Sequence, residues 1–213
     1  MDMDETGVAS LAGKVLSEYC KTKVVPECDA YVISKLWAVA NDEGNVSTYV
    51  AADAYKNLVN AINKVQSNAG YDTELVAFVN PELWAALMTS NEISRMITVS
   101  DFKQGEINLK VKQLNDVTLI PVSESRMKTE FDFVEDDSDA TVGGFSPKAD
   151  AKDIYALVLP KNGAHLVKKT EQLRIFTPEQ NLDADAYKFD YRIFYDVFVK
   201  KSGLKNIFAI TGE

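Results

Sequence analysis

Histidine and cysteine are almost missing: one His and two Cys in 213 residues. A zinc centre needs several of these side chains at close spacing, so that class is excluded. His165 stands alone at the entry to a strand-like stretch, which reads as a surface or packed residue and not as a base or ligand. Cys20 and Cys28 suit neither a CxxC motif nor a disulfide framework, so the expectation is reduced thiols in a cytosolic setting. Basic charge is also scarce. A net charge of -9 argues against gripping duplex DNA, which takes clustered Lys and Arg; it favours solubility. No apolar run approaches the roughly 20 residues of a membrane span, and the acidic start "MDMDET" is unlike a signal peptide. The expectation is a soluble protein made in the cytoplasm.

Catalytic patterns are missing too. There is no Walker loop, GxGxxG or GxSxG. "EDDSDATVGG" sets Asp136, Asp137 and Asp139 near glycines but lacks the alternate ligands and closing glutamate of a calcium loop. Asp183 and Asp185 form a carboxylate pair with no acid–base partner nearby in sequence. Phe189, Tyr191, Phe194, Tyr195 and Phe198 could stack on bases, but no basic groove accompanies them, so packing is the better reading. No catalytic residue, cofactor or metal is expected.

What is present is a 46% hydrophobic content, enough for a buried core, arranged in recognisable periods. Val8, Leu11, Ala12, Val15, Leu16 and Tyr19 recur at helical steps after Thr6 as an N-cap. Ala30, Ile33, Leu36, Trp37 and Ala40 resume the pattern. Pro26 between them predicts one kinked rod or two helices end to end. "NDEGN" ends it, and Ser47 or Thr48 is expected to cap another helix facing inward through Tyr55, Leu58, Ile62 and Val65. Gly70 then supplies a left-handed stop. "ELVAFVN" reads as a buried strand, and Pro81 opens the helix "PELWAALMTS". "INLKVKQL" and "VTLIPVS" pair through a turn at Asn115-Asp116. Residues 135–153 read as a mobile acidic loop, "IYALVLP" as a buried strand, and "NIFAIT" as a last strand. There are no internal repeats.

The longest regular signal is "KFDYRIFYDVFVKK", 188–201. Phe189, Tyr191, Ile193, Tyr195, Val197 and Val199 are apolar, while Asp190, Arg192, Phe194, Asp196 and Phe198 alternate with them. Period two over about a dozen residues predicts one strand with a dry face and a half-polar face, longer than most. With the weakly alternating "HLVKKTEQLRIFT" (165–177) it can form a two-stranded ribbon around the loop 178–186. Such a ribbon alone is marginal in water, and the N-terminal helical rod is the natural cover.

The order of "VVPECDAYVISKLWAVA", "ELVAFVNPELWAALMTS", "DVTLIPVSESRMKT" and "PEQNLDADAYKFDYRIFYDVFVKKSGLKNIFAI" resembles the major capsid proteins of tailed bacteriophages, the Hong Kong ninety-seven fold, over essentially the whole chain. The resemblance implies an α+β subunit in two parts. Residues 1–46 with 164–200 would form a peripheral domain of spine helix and ribbon, and 47–163 with 201–213 an axial domain. It implies a structural, non-enzymatic role: self-assembly through hexamers and pentamers into a virion shell enclosing DNA, with portal and scaffolding proteins as further partners. It implies neither sequence-specific nucleic-acid binding nor membrane association. Expected subunit contacts are Pro178, Glu179, Asn181, Asp183 and Asp185 at the ribbon tip, and Asp190, Arg192, Phe194 and Phe198 on its open face. Family members carry an N-terminal arm and extended hairpin before the spine helix. This chain begins where those end, so the expectation is a truncated capsid or prophage product, monomeric or a small oligomer. An encapsulin-like compartment for protein cargo is the alternative. A third class, an enzyme, would require a deep polar pocket with perturbed ionisable groups.

Overall fold

The structure is a computed structural model describing residues 13–89, 97–104, 107–114, 116–133, 144–185 and 187–213, with the backbone alone for 97–104 and 107–113. The expected cap Thr6, the helical positions Val8, Leu11 and Ala12, the turn residue Asn115, and Asp136, Asp137 and Asp139 lie outside the described residues. The architecture is mixed α+β. The chain divides into two compact units. A ribbon unit comprises Met1–Pro26 and His165–Phe198, and a sheet unit comprises Glu27–Ala164 and Val199–Glu213.

The sheet unit is built on seven strands in the order β1-β11-β8-β2-β5-β4-β3. These are β1 (Val46–Thr48), β2 (Leu75–Val79), β3 (Ile97–Gln104), β4 (Ile107–Leu114), β5 (Val117–Pro121), β8 (Ile154–Pro160) and β11 (Phe208–Thr211). β1 runs parallel to β11 and β2 parallel to β5; the other pairs are antiparallel. Two short strands, β6 (Phe131–Phe133) and β7 (Phe145–Pro147), pair separately. β8 is buried along nearly its whole length, as its unbroken apolar run requires of a central strand covered on both faces.

Helices α1 (Val25–Asp42), α2 (Ala54–Ala69) and α3 (Pro81–Thr89) complete the unit. Leu58, Ile62 and Val65 of α2 and Leu83 and Leu87 of α3 are buried with Leu75, Ala77, Val79, Leu119, Ala156 and Val158 from the sheet. Those strand positions are two apart, so they share a face. Asn80 Oδ1 accepts the Leu83 N–H at 2.8 Å and caps α3 one residue before Pro81, a helix start that needs no amide hydrogen. α1 is tied into this unit by Arg126–Asp29 at 2.7 Å and by an edge-on Tyr31–Phe133 contact with centroids 5.9 Å apart. Burial nevertheless raises the Asp29 carboxyl, outweighing the lowering by the Arg126 hydrogen bond and charge. The pair locates the helix more than it stabilises the fold.

Several local expectations are corrected. Ser47 and Thr48 lie in β1, and α2 begins only at Ala54, because Val46–Thr48 are drawn into the sheet by Ala209–Thr211. Gly70 does end α2 with a positive φ of 97°, but its ψ of 146° is extended and not left-handed helical. At Pro26 the first of the two expected forms is found, one helical run without a break. Helical residues 13–19 lead into a π segment, Cys20–Val24, closed by the Val25 N–H donating to Cys20 O. The wider turn absorbs the mismatch that Pro26, without an N–H, imposes on an α ladder. The unit boundary falls just there. Residues 27–46, expected beside the ribbon, therefore group with the sheet. β3 completes the sheet as an edge strand that no alternation in "ITVSDFKQ" announces.

Leu58 is fully buried between α2 and the sheet. Leu58→Ala is expected to lower stability by about 2–5 kcal/mol, measured by urea denaturation monitored with circular dichroism.

Candidate interaction surface

The ribbon consists of β9 (Ala164–Phe176) and β10 (Lys188–Val199), paired only with each other. Alternation in β10 holds over most of its length: Tyr191, Ile193, Tyr195 and Val199 are half-buried and Val197 is buried, while Asp190, Arg192, Phe194 and Phe198 are exposed. Phe189, expected on the dry face, is exposed, and Asp196, expected on the polar one, is half-buried. Phe194 and Phe198 remain 49% and 56% exposed. Arg192 lies over the Phe194 ring, 4.7 Å from its centroid, a cation–π contact that keeps the ring upright on an open face. β9 is exposed through almost its full length.

Helical residues of the same unit lie against the ribbon. Val15, Leu16 and Tyr19 face Leu173, Phe189 and Tyr191 across an apolar hollow of about 360 Å³, with Asp190 at its edge. Beneath it Tyr191 Oη donates to Glu171 Oε1 at 2.8 Å and Lys168 Nζ to Glu171 Oε2 at 3.1 Å. Burial, then the Glu171 bond and charge, push the Tyr191 phenol well above its ordinary value, with Cys20 adding to the rise. The Tyr191 and Lys168 bonds hold the Glu171 carboxyl below its own. This clamp joins the two strands across the ribbon.

The tip is a hydrogen-bonded loop. Gln180 and Asn181 donate their N–H groups to Thr177 O at 2.9 Å, and Asp183 donates to Asn181 Oδ1 at 3.2 Å. Lys188 Nζ bonds Asp183 Oδ2 at 2.8 Å, which lowers the Asp183 carboxyl. Pro178 and Asn181 are half-buried, Glu179, Asp183 and Asp185 exposed. The expected tip residues therefore share one loop, and Asp190, Arg192, Phe194 and Phe198 one face of one strand. Leu182 was not among them, yet it is 98% exposed. A single large apolar residue inside an acidic loop was the available signal.

The described residues of the ribbon unit bury little apolar surface. Among its described residues Val197 is the one buried apolar side chain, whereas Val15, Tyr19, Val25, Leu173, Phe189 and others stay exposed. In the sheet unit Val50 and Tyr71 are the exposed large apolar residues among those described.

Among the described residues no three His, Cys, Asp or Glu cluster to hold a metal. His165 is exposed on β9. Tyr49 and Tyr155 stack at 3.8 Å, and Tyr155 Oη donates to Glu82. Burial first and the Glu82 charge second raise both phenols, away from any acid–base role near neutrality. A more polar hollow of about 450 Å³ is lined by Thr73, Glu74, Lys161 and Lys200 and crossed by a surface Lys161–Glu74 pair at 2.7 Å. No helix among the described residues is long and apolar enough to cross a membrane.

A solved structure from Mycobacterium phage Che8 matches 97% of this chain with a TM-score of 0.50 at 10% sequence identity. The fold has a phage counterpart. This chain spans 63% of that one. No protein-family model and no curated protein matches the sequence. At such low identity the likeness concerns the fold and not the activity.

The clamp has a definite pH dependence. Because the Glu171 value is depressed in the folded chain, its contribution is complete above the ordinary carboxylate value of about 4.3 and is lost as pH falls through the depressed one. NMR titration is expected to show the Tyr191 ring signals shifting in that acidic window, and Glu171→Gln to abolish the shift.

Proposed function

We propose that this chain is the structural subunit of an icosahedral phage or prophage capsid, working by self-assembly and not by turnover. The observation that carries the reading is the ribbon unit, in which most of the large apolar side chains left exposed among the described residues are found. Phe194 and Phe198 stand four residues apart on one face of β10, and exposed apolar surface of this kind marks an interaction site. Likeness to the phage structure over 97% of the chain and the order of sequence elements supply the context. The partners are then further copies, arranged in hexamers and pentamers, with portal and scaffolding proteins as additional contacts. A net charge of -9 suits a shell that encloses DNA without gripping it.

Phe194 and Phe198 test the reading because their exposure separates assembly from folding. Replacing both by Ser is expected to change stability by less than about 0.5 kcal/mol. The same change should weaken self-association by roughly tenfold or more, read by sedimentation velocity over a concentration series. A doubly substituted chain that self-associates as the native one does overturns the proposal.

A further inference from the structure

We propose that Leu182, at the ribbon tip of one copy, docks into the helix–ribbon hollow of a second copy. The inference rests on the self-assembly reading and names two complementary surfaces for it. Leu182 is 98% exposed on a loop held in shape by the bonds to Thr177 O and Asn181 Oδ1. The tip thus presents a fixed apolar knob. The same exposure shows that Leu182 does not occupy the hollow of its own chain, which stays open.

The hollow fits such a guest. Its volume of about 360 Å³ is many times the ~30 Å³ share of one water, ample for one isobutyl group. Val15, Tyr19, Leu173 and Phe189 line it while remaining 47%, 50%, 36% and 36% exposed, so a guest would remove apolar surface from water on both partners. Charge agrees. The tip carries Glu179, Asp183 and Asp185, with Lys188 answering Asp183. The segments forming the hollow carry exposed Lys14, Lys21, Lys23 and Arg174 against exposed Glu18, Glu171 and Asp190, and Glu171 is already answered by Lys168. An acidic collar around the knob thus meets a mainly basic surround. Knob and hollow are different surfaces, so the contact is head to tail: each copy offers one and receives one, and a row of copies ends only by closing into a ring.

Cross-linking between chains tests this directly. In a background with Cys20→Ser and Cys28→Ser, one preparation carries Leu182→Cys and another Val15→Cys; each is oxidised mildly alone and mixed. A covalent dimer in the mixture, about tenfold above either preparation alone, is the expected result. In parallel, Leu182→Asp in the native chain should weaken association by roughly tenfold to a hundredfold in sedimentation velocity, with unchanged circular dichroism. Cross-linking of Leu182→Cys chains to one another would mean that tip meets tip and overturns the docking. Native-like association of Leu182→Asp also overturns it, yet leaves the shell reading standing. Association unchanged both by Leu182→Asp and by the double substitution of Phe194 and Phe198 removes both.

Discussion

The structure turns on a shortage of cover. A two-stranded ribbon buries one side chain face at most, and only if something is laid against it. Here the helical residues 13–26 supply that cover over part of β10 and leave β9 open. Burial is the dominant favourable term in folding, so a unit with Val197 as its buried apolar residue draws little stability from its own packing. Local devices compensate partly: the Tyr191–Glu171–Lys168 clamp, the Arg192–Phe194 contact and the hydrogen-bonded tip. These fix geometry more than they add stability, since exposed polar contacts contribute little. Their effect is to hold an apolar surface in a defined shape.

The sheet unit solves the opposite problem. β8 sits between β11 and β2 with apolar side chains on both faces, and α2 and α3 close one layer over Leu75, Ala77 and Val79. Its hydrogen-bonding ladder joins residues far apart in sequence, such as Val46 with Ala209. That places the terminal strand β11 inside the sheet and makes the unit cooperative from end to end. The buried core and the exposed ribbon face belong to separate units, so substitutions on the ribbon face leave the core intact.

Legibility followed locality. The period of β10, the apolar run of β8, the Asn80-Pro81 start of α3 and the inward face of α2 are local patterns, and each produced its element. β1 was misread as a helix cap because three residues hold no period; only pairing with β11 makes them a strand. β3 escaped because Ser100 and Asp101 interrupt its alternation. The grouping of residues 27–46 with the sheet depends on Asp29 meeting Arg126 and Tyr31 meeting Phe133, contacts no window along the chain contains. On the candidate surface, Asp190, Arg192, Phe194 and Phe198 were legible through period two alone. The hollow was not, since it needs Val15 brought beside Phe189. Leu182 belongs to no period, and a lone apolar residue in a polar loop carries no pattern that marks it.

An exposed ribbon also raises the question of why it does not polymerise through its backbone. Both strands of a two-stranded sheet are edge strands, and open edges template further pairing. β9 carries exposed Lys168, Lys169, Glu171 and Arg174, and β10 carries Asp190 and Arg192. An added strand would bring these charges against its own and strip their water, which disfavours edge-on growth. The apolar groups, by contrast, stand out from the faces: Phe194 and Phe198 on one strand, Leu173 and Phe189 over the hollow. Association through side chains on a face keeps the charged residues solvated and leaves the ladder at two strands. The same alternation that makes the strand long therefore favours contact through a face over pairing along an edge.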